Sequence, residues 1–178
     1  MTADSTTADS DPLAALLAAR RGTAFFSRAV QDLDDSNLDD PSALDGWVRR
    51  DIVAYVGSQA RRMAELVAIA RTGDEMPQWN PLSRCDIIYA ATLPAVALRN
   101  LHAHAAVHLN VEWRELDTAT WNRTVATPQG IVTLDELTWN RAHTVWFGAV
   151  GLGAADDGTV PKEVWARPVS GPHLFRRD

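Results

Sequence analysis

Thr133-Leu134-Asp135-Glu136-Leu137-Thr138-Trp139-Asn140-Arg141-Ala142-His143-Thr144-Val145-Trp146-Phe147-Gly148-Ala149-Val150-Gly151-Leu152-Gly153 is the stretch whose reading decides the fold. It opens on a capping box, in which the threonine and the glutamate three residues on satisfy each other's free backbone amides. Leu134, Leu137, Val145, Phe147, Val150 and Leu152 then recur at helical intervals, and Gly151 and Gly153 stop the run. The segment just before it, Trp121 to Val132, sets Pro128-Gln129-Gly130 between β-branched residues. That pattern predicts a short hairpin leading into the helix.

Three further segments carry the same periodicity. Asp11 followed by Pro12 marks a helix start, and Leu13, Leu16, Leu17, Phe25 and Val30 follow before the acidic run 32–40. A second helix is predicted from about Trp47 to Arg71, with Ile52, Val56, Met63, Leu66 and Val67 on one face and Thr72-Gly73 as its stop. A third starts near Pro94 and carries Val96, Leu98, Leu101, Val107, Leu109 and Val111 to about Glu115. The connection 72–93, with Pro77, Trp79 and Pro81, is long for a bundle, and its aromatic and basic residues predict an ordered, functional loop. The fold expected is all-α: a four-helix bundle with a long crossover between the second and third helices. Residues 1–11 are expected to be a disordered tail, 12–155 the bundle, and 156–178 an irregular C-terminal tail.

Composition narrows the partners. The 178 residues suit one domain, and a net charge of −6 argues against nucleic acid, whose binders gather basic residues into a stripe. The paired arginines 20–21, 49–50 and 61–62 lie among carboxylates and read as solvated helix faces. No apolar run is long enough to span a bilayer. Residues 1–11 have neither the basic start nor the apolar stretch of a signal peptide. A single cysteine, Cys85, forbids an internal disulfide and fits a reducing, cytoplasmic setting. Between Arg84 and Asp86 it reads as inert.

Three stretches resemble one family. Asp45-Gly46-Trp47-Val48-Arg49-Arg50-Asp51-Ile52-Val53-Ala54-Tyr55-Val56 resembles the opening of the second helix in DinB-like proteins, in particular the mycothiol-dependent maleylpyruvate isomerases. Ser83-Arg84-Cys85-Asp86 with Tyr89, then Ala97-Leu98-Arg99-Asn100-Leu101-His102-Ala103-His104, are similar to that family's middle section. Trp139 to Ala154 is similar to its fourth helix. The resemblance runs from about 13 to 155 and implies the DinB-like bundle. The family's further C-terminal domain is expected to be missing or reduced to the tail.

The resemblance also implies a zinc ion, held by one histidine of the second helix and by a glutamate and a histidine four apart on the fourth. Ligands at i and i+4 share a helix face and leave an open position for water or thiolate. The matching positions here are Tyr55, Thr144 and Gly148. Phenol and hydroxyl are poor zinc ligands at neutral pH, and glycine has no side chain. The expectation is therefore no metal and no cofactor. His104 and His108 have metal-capable spacing but lack an evident third ligand, and His143 points about 100° away from position 144.

With the ligands gone, a larger and less charged cavity is expected at Gly148, lined by Tyr55 and, one turn on, Gln59. Asn140 and Arg141 lie a turn before Thr144. Arg84 matches an arginine that the family uses near its substrate. Tyr55, Arg84 and Thr144 are the expected catalytic groups. Gln59, Trp79, Asn140, Arg141 and Gly148 are the expected substrate contacts, with Trp79 as lid or wall. An apolar cavity with a few polar groups suits a small, largely apolar metabolite. The function expected is a metal-independent isomerase or cyclase, of the sort found in secondary-metabolite biosynthesis. Three alternatives stay open: a non-catalytic ligand-binding protein, a mycothiol-dependent zinc isomerase or transferase with displaced ligands, and a structural partner protein. A shortened C-terminus leaves homodimerisation open as well.

Overall fold

Asp11 accepts a hydrogen bond from the Ala14 amide at 3.1 Å, and Pro12 fills the first helical position, so α1 runs Pro12–Asp32. The computed structural model describes residues 11–74, 82–127 and 130–167. A 3-10 turn over Asp35–Asp39 buries Leu38 and leads to α2, Arg49–Thr72. There the Asp51 carboxylate accepts the Val48 amide at 3.2 Å, two residues later than the start at Trp47 that periodicity suggests. Gly73, with φ at 77°, closes the helix in the left-handed region.

The crossover expected to be a loop contains a helix, α3, Arg84–Ala91. Ser83 and Asp86 form a capping box at its start, and Ile87 and Ala91, four apart, face the core. Eight residues are too few for periodicity to declare itself. Residues 75–81 lie outside the described residues, and Trp79 with them.

Helix α4 spans Ala95–Arg114 with Pro94 as its cap. Its buried face is Leu98, His102, Ala105, Leu109, Glu112 and Trp113, whereas Val96, Val107 and Val111 are exposed. A histidine and a glutamate therefore sit on the stripe that aliphatic residues were expected to occupy. A short turn, α5 (Thr118–Trp121), precedes the hairpin β1 (Thr124–Thr127) and β2 (Gly130–Thr133), which pair antiparallel with Val125 opposite Val132. Thr133 and Glu136 then form the expected capping box of α6, Leu134–Gly151. Beyond it, a 3-10 turn at Asp157–Thr159 and α7 (Lys162–Trp165) place buried Val160 and Val164 against the bundle. That part of 156–178 is thus more regular than expected, because buried Val160 and Val164 fix the two turns to the bundle.

The bundle pairs α1 with α6 and α2 with α4, and α2 also packs on α6. Gly22 sets the α1–α6 distance. A methyl group there would lie 2.5 Å from Val145 Cγ2 and 2.8 Å from the Trp146 indole, whose Nε1 donates to the Ala18 carbonyl at 3.1 Å. Gly22→Ala is expected to lower unfolding free energy by about 1–3 kcal/mol in urea titration, overpacking outweighing the roughly 1 kcal/mol of helix propensity that alanine gains. No helix among the described residues is long and apolar enough to cross a membrane.

Candidate functional site

Inside this apolar bundle α2 and α6 enclose a polar cluster. Tyr55 and Gln59 lie one turn apart on α2, and Asn140, Arg141 and Thr144 on α6. The Gln59 amide bridges the helices: its Oε1 accepts from Arg141 Nη1 at 2.8 Å, and its Nε2 donates to Thr144 Oγ1 at 2.6 Å. Thr144 donates in turn to the Asn140 carbonyl at 3.0 Å, and Tyr55 is hydrogen-bonded to the Thr144 hydroxyl. Four of the expected contacts, Tyr55, Gln59, Arg141 and Thr144, are therefore one network. Gln59 and Asn140 are half-buried and form its solvent side.

Arg141 is its unexpected member. The side chain is fully buried, and Nη1 also donates to the Val56 carbonyl at 2.7 Å. Desolvation pushes the guanidinium pKa down to about 9, so it stays cationic at neutral pH. Burial raises the Tyr55 pKa above that of an ordinary phenol, so Tyr55 stays protonated. From α4, His102 completes the wall. It is buried, its Nε2 lies 2.9 Å from Ser27 Oγ on α1, and its ring meets Phe26 edge-on at 5.0 Å. Desolvation first, then the Arg141 charge, lowers its pKa to about 3.

That value carries a sign. A histidine held neutral in the fold but free to protonate in the unfolded chain favours folding fully above pH 6.5, and the advantage is lost as pH falls toward 3. Each pH unit crossed costs up to about 1.4 kcal/mol. Stability is expected to drop steeply between about pH 6.5 and 4.5, and His102→Gln to flatten that limb in denaturant titrations. The carboxylates Asp86 and Asp117, held below the usual range by Ser83 and Thr120, act only at lower pH.

Gly148 does not open a cavity. A methyl group there would stand 3.0 Å from both Phe26 Cε2 and Val56 Cγ2, so these two side chains already occupy the space the larger ligand side chain was expected to vacate. Arg84 is also committed. Its Nη2 donates to Asp51 Oδ2 at 2.9 Å and to the Gly46 carbonyl at 3.1 Å, and its guanidinium lies 3.8 Å over the Trp47 ring. Trp47 in turn meets Tyr55 edge-on at 6.3 Å, so Arg84 touches the network only through an indole. His143 faces away from Thr144's side and stacks on Phe147 at 4.2 Å. His108 is 3.5 Å from Glu112, and His104 is exposed. Among the described residues no three His, Cys, Asp or Glu side chains are grouped to hold a metal ion.

Sequence reasoning missed His102 and Ser27. The signal was present, because His102 stands four residues after Leu98 and seven before Leu109 on the buried stripe.

An all-α bundle with a long crossover and a polar cluster between its second and last long helices defines the class. The chain belongs to a family within it: residues 19–150 match the mycothiol maleylpyruvate isomerase N-terminal domain. A crystal structure of a mycothiol-dependent maleylpyruvate isomerase is similar at 37% identity with a TM-score of 0.80, covering 86% of this chain and 66% of that one. The structure of a variant of that enzyme with one histidine changed to alanine matches equally well. The chain thus spans just under two thirds of the solved relatives. No protein of curated function matches it.

Proposed function

We propose that the chain is a metal-independent enzyme of isomerase or cyclase type, acting on a small, largely apolar metabolite at the α2–α6 cluster. The observation that carries this is the buried Arg141 cation beside Tyr55. The resemblance makes 55, 144 and 148 the zinc positions, and their occupants do not fit a zinc ion. Burial raises the pKa of the Tyr55 phenol, away from the phenolate that a metal would need. The Thr144 oxygen is hydrogen-bonded to Gln59, Asn140 and Tyr55. Phe26 and Val56 cover Gly148. A fixed positive charge among them opposes a divalent cation further.

The same features support chemistry of another kind. A protonated phenol can turn from Thr144 to a ligand carbonyl, and a guanidinium in a low-dielectric site stabilises the oxyanion that develops as the carbonyl is polarised. Closely packed walls hold a flexible substrate in one conformation, which suits rearrangement without a nucleophile. Arg84, paired with Asp51 and lying over Trp47, supports the Tyr55 wall from outside the cluster.

The test is metal analysis combined with kinetics. Protein purified without a metal-chelating tag is expected to hold far less than one zinc per chain. Turnover of a compound that co-purifies or is found by screening should be indifferent to chelators, and Tyr55→Phe should cut kcat by roughly 10²–10³-fold. Near-stoichiometric zinc, with maleylpyruvate turnover that requires mycothiol, would overturn the proposal. A ligand released chemically unchanged would favour a binding protein.

A further inference from the structure

We infer that the Nε–Nη2 edge of Arg141 is a docking edge for a carboxylate carried by the ligand; this rests on the α2–α6 cluster being the reaction site. Nη1 spends both its hydrogens, on the Val56 carbonyl and on Gln59 Oε1. Nε and Nη2, the two donors on the other side of the guanidinium, are buried without any partner among the described residues. They point their N–H bonds in parallel, the spacing that a carboxylate accepts with two oxygens at once.

Comparison with the other arginines isolates this one. Arg49 and Arg84 also bury an unpartnered N–H among the described residues, but each forms an ion pair through another nitrogen, with Asp40 and Asp51, and Arg50 Nε lies directly against Asp39. Arg141 forms none among the described residues, and the only charge partner acting on its own titration is the Tyr55 phenol. The buried carboxylates Asp51 and Glu112 are taken up by Arg84 and Arg71. A cation stripped of water and left without a counter-ion costs several kcal/mol. A ligand carboxylate supplies the missing charge and both missing acceptors. His102, whose Nδ1 is likewise buried without a partner, lies close enough to be acted on by the Arg141 charge. Gln59 and Asn140, the half-buried members of the cluster, are its side nearest solvent.

The substrate class is thus a small, largely apolar monoanion whose carboxylate is held at Arg141, while Arg84 remains with Asp51. The experiment uses the full chain with acetate, butyrate and benzoate as probes and the matching amides as neutral controls. Thermal shift and the Arg141 Nε–H resonance in ¹⁵N NMR are the readouts. At least one acid should raise Tm and move that resonance, with its amide at least about tenfold weaker. Arg141→Met should lose the effect entirely, and Arg141→Lys, charged but without the two-donor edge, should weaken it at least about tenfold.

Binding that survives Arg141→Met overturns the inference and points to Arg84. Equal binding of acids and amides overturns it in favour of an uncharged ligand. Silence from every acid overturns it too, leaving the edge as a purely structural feature. None of these results changes the zinc content or the chelator response, so the metal-independent reading stands or falls separately.

Discussion

Arg141→Met is expected to raise the unfolding free energy by about 1–3 kcal/mol while removing anion binding. Replacing a buried ionic group by an apolar side chain of similar length is often neutral or stabilising, because the desolvation of the charge outweighs its contacts. Here the balance tips further than usual. Two of the guanidinium's donors are buried with no acceptor among the described residues, and each such group costs roughly 1–3 kcal/mol. Against that, the variant forfeits the hydrogen bonds to the Val56 carbonyl and Gln59, each worth about 1 kcal/mol. Urea unfolding at pH 7 measures the net change. A gain in stability with loss of binding is the pattern of a side chain kept for function at the expense of the fold. A loss of more than about 2 kcal/mol would instead make Arg141 a structural strut between α2 and α6.

The second large effect concerns installing the three ligands that the resemblance implies. The combined variant Tyr55→His, Thr144→Glu and Gly148→His is expected to take up no zinc and to lose more than about 3 kcal/mol of stability. Gly148 decides the stability. Its Cβ alone would meet Phe26 and Val56 at 3.0 Å, and an imidazole has to push both aside inside a close-packed core. Arg141 decides the metal, since a glutamate at 144 would face a guanidinium rather than a vacant position. Adding Phe26→Ala should recover part of the stability. Adding Arg141→Met as well should be needed before zinc binds. Equilibrium dialysis with circular dichroism on the series checks both statements. Stoichiometric zinc in the first variant would mean that the bundle keeps a metal-ready geometry after all.

These expectations depend on features of unequal visibility in the chain. The four long helices were readable because each has a local device: Asp11 with Pro12, Thr133 with Glu136, Gly73 as a stop, and apolar residues at helical spacing. The hairpin was readable from a turn between β-branched runs. Helix α3 hid in the crossover although Ser83 and Asp86 announced its start. Tyr55, Gln59 and Thr144 could be placed on facing walls, since residues four apart share a helix face whatever the tertiary detail.

What lay beyond the sequence were quantities set by neighbours distant along the chain. Whether Gly148 leaves a void or admits a ring depends on Phe26, more than a hundred positions away on α1. Whether Arg84 or Arg141 offers free donors depends on Asp51 holding the one and on no carboxylate among the described residues pairing with the other. His102 was legible as a histidine but not as a neutral core residue, because its desolvation arises only once α4 packs on α2 and α1. The sequence by itself determined the bundle, its family and the absence of histidine and glutamate from positions 55, 144 and 148, all properties of local spacing and residue type. Only the tertiary structure decided that the space at Gly148 is filled and that a buried guanidinium lies beside Tyr55, because burial and charge balance are properties of packed neighbours and not of any one segment.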